Sequence, residues 1–186
     1  MNNRKVYISG EIVPEVDAKI SIFDSAVLLG DTVTESTRTF NFKPFKLDEH
    51  LERLYKSFKL TRINPQMTIE EMKKVSLELL EINKDNYKAN EDCWLVHNIS
   101  RGHSITGGNP ALQVSKPTVM IYTQPMNLVL WAPFYTKGCH AVTPPTRMVP
   151  PQSLDARIKN RSRLFYTLAE IEAKLVDPDA QSVILD

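Results

Sequence analysis

The chain has 186 residues, 42% hydrophobic and 24% charged, the composition of an ordinary globular protein with room for one full domain or a small domain plus part of another. Its 23 basic and 22 acidic residues leave a net charge of +1, which gives no electrostatic footprint for nucleic acid or an anionic membrane. No apolar run approaches the length of a bilayer span, and Val6-Tyr7-Ile8 is too short for a signal-peptide core, so no nucleic-acid or membrane partner is expected.

The first forty residues read as β-structure. Val6-Tyr7-Ile8 and Ile12-Val13 flank Gly10-Glu11 and predict a hairpin. Lys19-Ile20-Ser21-Ile22-Phe23 partly alternates and predicts a half-buried strand, followed by a turn at Leu28-Leu29-Gly30-Asp31. The β-branched run from Thr32 to Phe40 predicts a strand. Asp48 is expected to cap a helix whose inner face is Leu51, Leu54, Tyr55 and Phe58. Thr68 and Glu71 form a capping-box pattern for a second helix, with Met72, Val75, Leu79 and Ile82 as its stripe. Strands are predicted at Trp94–Ile99 and Thr118–Tyr122, with a Gly/Asn/Pro-rich loop at His103–Pro110 between them. Pro144, Pro145, Pro150 and Pro151 exclude helix and central strand and suggest an interdomain connection. A third helix is expected from about Asn160 to Val176, with Leu164, Leu168, Ile171 and Leu175 on one face, and Ser182–Asp186 opens what reads as a strand.

The expected fold class is α+β. Residues 1–130 should form a small domain with a mainly antiparallel sheet and two helices. Residues 131–156 should form the interdomain connection and the start of a large α/β domain. Residues 157–186 should form a lysine-bearing helix and the first part of that domain, which reads as truncated. Cys93 and Cys139 match no metal-ligand spacing, and His50, His97, His103 and His140 form no paired motif, so no metal site is expected. Two isolated cysteines suit a reducing, cytoplasmic setting.

From local context alone, Lys159 in Asp155-Ala156-Arg157-Ile158-Lys159-Asn160-Arg161 reads as a solvated lysine in a basic cluster. Four ordered segments change that reading. Tyr7-Ile8-Ser9-Gly10-Glu11-Ile12-Val13-Pro14, Leu29-Gly30-Asp31-Thr32-Val33-Thr34-Glu35, Phe45-Lys46-Leu47-Asp48-Glu49-His50-Leu51-Glu52-Arg53-Leu54, and Ile158-Lys159-Asn160 through Leu168-Ala169-Glu170-Ile171-Glu172-Ala173 together resemble the class IV aminotransferases, the pyridoxal 5'-phosphate (PLP) enzymes of fold type IV.

The resemblance implies that Lys159 is the catalytic Schiff-base lysine and that Arg53 binds the cofactor's phosphate, a role suited to a planar guanidinium fork. It makes His50 structural. It implies transfer of an amino group from an amino acid or related amine to a 2-oxo acid, and a homodimer. Thr34, Ser36 and Arg38 share one strand face, which by resemblance lines the substrate pocket, and Arg101 is a further substrate-side candidate. The family's pyridine-binding glutamate and much of its phosphate cup are expected beyond Asp186, so weak or no PLP binding is expected of these 186 residues.

Some positions depart from the best-known members. Branched-chain enzymes carry phenylalanine and glycine at the places of Thr34 and Ser36, tyrosine at Leu29, and often tyrosine at Leu164. D-amino-acid enzymes carry arginine and histidine where this chain has Thr106 and Gly108. Two alternatives stand beside the aminotransferase: an aminodeoxychorismate lyase using the same lysine, and a truncated non-catalytic domain that binds no PLP.

Overall fold

The computed structural model of the chain describes residues 3–88, 91–104 and 116–186. These form two compact units by contact, one running to Met126 and adding Ile158–Arg161, the other made of Asn127–Arg157 and Ser162–Asp186.

The first unit is α+β. Strands β1 (Lys5–Ile8), β2 (Glu11–Pro14), β3 (Thr32–Phe40), β4 (Lys43–Pro44), β5 (Cys93–Ser100) and β6 (Thr118–Pro125) make one sheet in the order β2-β1-β6-β5-β3-β4. Every pairing in it is antiparallel. The β1–β2 hairpin and the β3, β5 and β6 strands fall where alternation and β-branching place them. Helices α2 (Leu47–Thr61) and α3 (Ile69–Asn83), numbered after a short α1 at Ser25–Leu28, pack on one face of this sheet. Leu51, Leu54, Met72 and Leu79 lie against Val33, Leu95, Ile99 and Ile121, all buried. The alternation of side chains along a strand therefore assigns Val33, Glu35, Thr37 and Thr39 of β3 to the helix face, and Thr32, Thr34, Ser36 and Arg38 to the outer face.

Local chemistry sets the helix ends. At α3 the capping box is complete: the Glu71 N–H donates to Thr68 Oγ1 at 3.2 Å, and the Thr68 N–H donates to Glu71 Oε2 at 2.7 Å. The Asn83 side chain ties the far end of α3 to β1, accepting from the Lys5 N–H and donating to the Lys5 carbonyl. Ile82, expected on the inner stripe, is 42% exposed, and Leu80 and Asn83 take the inward places instead. Asp48 is not the cap of α2. Lys46, in the left-handed region at φ 53°, holds that position with no side-chain bond, and Asp48 sits in the first turn paired with Lys73 of α3. An acidic group there suits the helix dipole equally well.

Three further expectations are corrected. Lys19–Phe23 is not a strand. Ser21 starts a turn that accepts bonds from the Phe23 and Asp24 N–H groups, and Asp24 then caps α1. Asp24 is buried and also accepts from Ser100 and Thr118, so this turn is pinned to β5 and β6. The third predicted helix is α5 (Leu164–Val176), which starts at Leu164 rather than Asn160. The reason is that the Lys159 carbonyl and the Arg161 N–H are already bonded to β3, at the Thr34 N–H and the Thr32 carbonyl. Finally, Leu164, Leu168, Ile171 and Leu175 are all exposed, and the small residues Ala169 and Ala173 are the buried positions of α5.

The second unit contains α4 (Phe134–Lys137), α5 (Leu164–Val176) and a two-stranded parallel pair, β7 (Ala141–Val142) with β8 (Gln181–Ser182). Pro144–Pro151 is neither helix nor strand. Of the run expected as a final strand, only Ser182 lies within β8, while the Val183 N–H still donates to the Val142 carbonyl. The expected loop at His103–Pro110 lies outside the described residues from Ile105 onward.

Candidate active site

Lys159 belongs to the first unit. Its carbonyl accepts from the Thr34 N–H at 2.9 Å, and the Arg161 N–H donates to the Thr32 carbonyl at 2.9 Å. Asn160 bridges Val33 in antiparallel register. Residues 158–161 thus extend the sheet along one edge of β3. Ile158 packs against the core under the helices, and with Asn160 opposite Val33, Lys159 stands opposite Thr34 of the outer face. Lys159 is half-buried. Its N–H also donates to Ser57 Oγ of α2 at 3.3 Å, and Ser57 lies one helical turn after Arg53.

Arg53 is held by Glu35. Its Nε donates to Glu35 Oε2 at 2.7 Å and its Nη2 to Oε1 at 2.6 Å, a bidentate pair. His50 Nδ1 approaches the same Oε1 at 3.0 Å. Glu35 is fully buried, whereas the Arg53 side chain is 51% exposed. Burial pushes the Glu35 carboxyl upward. Bonds from Arg53, the Ser36 N–H and His50 outweigh that and hold it below the usual carboxylate range. Glu35 in turn raises the already high pKa of Arg53. The third guanidinium nitrogen, Nη1, takes no part in the pairing, so Glu35 orients the fork and leaves one end of it available to an anion.

Of the residues singled out from sequence, Lys159 is tied through its backbone N–H to Ser57, one turn after Arg53 on α2, and Arg53 is tied to Glu35 of β3. Thr34 and Ser36 share the outer face with Lys159. Thr34 is buried, and its hydroxyl donates to the His97 carbonyl at 2.9 Å. Arg38 lies farther along the same face and stacks on Phe40, its guanidinium carbon 3.8 Å from the ring centroid. Arg101 is placed apart from this group. Its donors meet Asp31 and the carbonyls of Thr61 and Arg62, which ties the end of β5 to the end of α2. Thr106 and Gly108 lie outside the described residues. Among the described residues no group of three or more His, Cys, Asp or Glu side chains could hold a metal ion.

Sequence reasoning gave no role to Glu35 or Ser57. The signal for Glu35 was available: a carboxylate at the inward position of a buried strand requires cationic or hydrogen-bonding partners, and His50 and Arg53, one turn apart on the next helix, supply them. Nothing in the sequence pointed to Ser57.

The pattern of the family described as "Amino-transferase class IV" matches residues 32–186. A Methanocaldococcus jannaschii protein that carries the name of a branched-chain-amino-acid aminotransferase is 35% identical over 182 residues, covering 98% of this chain and 59% of that protein. The D-alanine aminotransferase of Staphylococcus epidermidis is 32% identical over 120 residues, 64% of this chain and 41% of the relative. Among solved structures, the branched-chain amino acid aminotransferase of Escherichia coli superposes with a TM-score of 0.87 at 23% identity, over 99% of this chain and 60% of that one. The branched-chain amino acid aminotransferase of Thermoproteus uzoniensis, solved with norvaline, gives a TM-score of 0.75 at 24% identity, over 97% of this chain and 60% of that one. The chain therefore belongs to the class IV aminotransferase family. It spans between two fifths and three fifths of the length of these relatives.

Proposed function

We propose that the protein is a PLP-dependent aminotransferase that moves an amino group from an amino acid or related amine to a 2-oxo acid, with Lys159 as the covalent attachment point and Arg53 as a phosphate ligand. The observation that carries this is the pairing of residues 158–161 with the edge of β3, which brings Lys159 to within one turn of α2 from an oriented, half-exposed guanidinium.

Two of the residues present fit parts of PLP, its phosphate and its carbonyl carbon. Arg53 offers a guanidinium end outside its pairing with Glu35, suited to a phosphate oxygen. Lys159 offers a primary amine on a backbone fixed by bonds to Thr34 and Ser57. When bound, PLP supplies an electron sink for negative charge at the substrate α-carbon. The part played by the chain is to hold and move protons. The Lys159 amine would be the group that meets the cofactor's carbonyl carbon, as a neutral nucleophile, and the same amine could hold or pass a proton at the substrate α-carbon. Thr34 and Ser36, on the same face, border the substrate's path. Glu35 keeps Arg53 aimed.

Supplying PLP, a panel of amino donors and a 2-oxo acid tests the reading: a new amino acid should form. Pyruvate released from aminodeoxychorismate without amino transfer would replace this reading with the lyase. No reaction and no PLP binding would favour a non-catalytic domain.

Arg53→Ala should weaken PLP retention by about 1.5–3 kcal/mol, the usual worth of a hydrogen bond to a charged group, measured by equilibrium dialysis. The variant also strips buried Glu35 of its main partner. Arg53→Lys is therefore the companion, expected to keep the charge pair and recover folding, but not the full affinity, because an ammonium lacks the fork. Unchanged PLP affinity in both would remove Arg53 from the phosphate site.

The working form is proposed to be a symmetric homodimer. Exposed Ile22, Phe23, Val27 and Leu29, clustered in sequence around α1, support self-association. Light scattering should give twice the chain mass, and a monomer at high concentration would count against it.

A further inference from the structure

The outer face of the sheet contains two buried oxygens, Asn98 Oδ1 and Thr32 Oγ1, with no hydrogen-bond partner among the described residues. Asn98 of β5 lies opposite Thr34 of β3, so the two side chains share that face. Asn98 is nine-tenths buried. One end of its amide bonds Tyr122 Oη at 2.9 Å. Turning the amide over exchanges which end meets Tyr122, and either way one end is left unpaired. Thr32 is buried as well and lies two residues before Thr34 on the same face. Buried polar groups without partners are rare in folded proteins, because leaving them dry carries their full desolvation cost. A pocket built for a branched aliphatic side chain would have no use for them.

We propose that Asn98 is a specificity-determining residue, whose free amide end hydrogen-bonds the side chain of the amino or 2-oxo acid. The preferred substrate then carries a carboxamide or comparable hydrogen-bonding side chain rather than a branched aliphatic one. The inference rests on the amino-transfer reading, which places the substrate on the face of Thr34, Ser36 and Lys159. A carboxamide suits the site in both orientations of Asn98, since it offers an N–H donor and a carbonyl acceptor. An aliphatic side chain of equal size leaves the amide end and the Thr32 hydroxyl unpaired, and sites built to hydrogen-bond a substrate discriminate strongly against analogues that lack the group. Tyr122 also lines a cavity of about 230 Å3 beside β1 and β6, together with Arg4, Val6, Ile8, Glu15 and Met120.

Two isosteric probes separate the possibilities: succinamate, ending in a carboxamide, and 4-methylpentanoate, ending in an isopropyl group. Each is titrated into the 15N-labelled full chain with PLP present, following the Asn98 side-chain amide resonances. Succinamate should bind at least about tenfold tighter, the equivalent of one well-made hydrogen bond, and should shift the Asn98 amide pair. Asn98→Leu should abolish or reverse the preference. The wild-type ratio is informative by itself if that variant fails to fold. Equal or tighter binding of 4-methylpentanoate to the wild-type chain would overturn the inference alone, as would an unchanged ratio in a folded Asn98→Leu. Binding of neither acid would overturn it together with the amino-transfer reading.

Discussion

Replacing Lys159 by alanine is expected to lower amino transfer by at least about 10²–10⁴-fold, the contribution typical of one positioned acid–base group, and to remove covalent PLP altogether. Backbone bonds hold residues 158–161 to β3 and α2: the Lys159 carbonyl to the Thr34 N–H, and the Lys159 N–H to Ser57. Alanine keeps both, so the segment should stay in place while the amine is lost, with a stability change of about 1 kcal/mol or less, typical of point substitutions. Assays of amino transfer and of thermal unfolding, made side by side, give the two numbers. Retained turnover in a folded Lys159→Ala protein would exclude Lys159 from the chemistry. Lost turnover accompanied by unfolding would instead mark it as structural.

Stability should also fall steeply as the solution is acidified from about pH 6.5 to pH 4, because of His97. This side chain is fully buried on β5, with Nε2 at 2.8 Å from Ser76 Oγ. Its Nδ1 has no hydrogen-bond partner among the described residues. Burial pushes its pKa down to about 4, with Glu35 pulling it up and His50 pushing it down by smaller amounts. In the unfolded chain a histidine titrates near about 6.5. Between those values the unfolded chain takes up a proton that the folded chain refuses, so the folded state loses ground as pH falls. The loss reaches about 3 kcal/mol by the lower limit and does not grow below it. Glu35 acts in the next window. Its folded pKa lies below the ordinary carboxylate value, so its contribution is complete above that value and is lost as pH falls through the lowered one. Urea denaturation at about pH 7.5, 6 and 5 should show the first slope, and His97→Gln, which can keep a bond to Ser76, should flatten it. An identical pH profile in the variant would mean that His97 takes up its proton alike in the folded and unfolded chain.

Much of the first unit was legible in the sequence because its signals are local. The β-branched run at Thr32–Phe40, the Thr68/Glu71 capping box and the apolar spacing through Leu51, Leu54 and Phe58 each report directly on φ/ψ preference or burial. The misreadings share a physical origin, since in each a tertiary bond outranks a local pattern. Lys19–Phe23 alternates as a strand does, yet Asp24 is captured by Ser100 and Thr118 and the chain turns there. Asn160 looks like a helix start, yet its neighbours spend their backbone bonds on β3. On α5 the large apolar residues suggested the inner face, while the alanines, which allow close approach, are the residues buried.

The candidate site was legible only in part, and for a related reason. Lys159 and Arg53 stood out through ordered motifs. Their connection through Glu35 and Ser57 depends on a strand added from residues far from Ser57 in sequence, and no local pattern announces such a pairing. Asn98 is inconspicuous in a strand until Tyr122 is seen to satisfy one end of its amide only.

The central claim is that Lys159, and not another lysine, is where this chain joins PLP. Incubating the full-length protein with saturating PLP, reducing with borohydride and mapping the modified peptides by mass spectrometry addresses it directly. The expected result is a phosphopyridoxyl adduct on the peptide bearing Lys159 in clear excess over every other lysine, lost in Lys159→Ala and diminished in Arg53→Ala. Adducts scattered over surface lysines, with Lys159 unmodified, would contradict it.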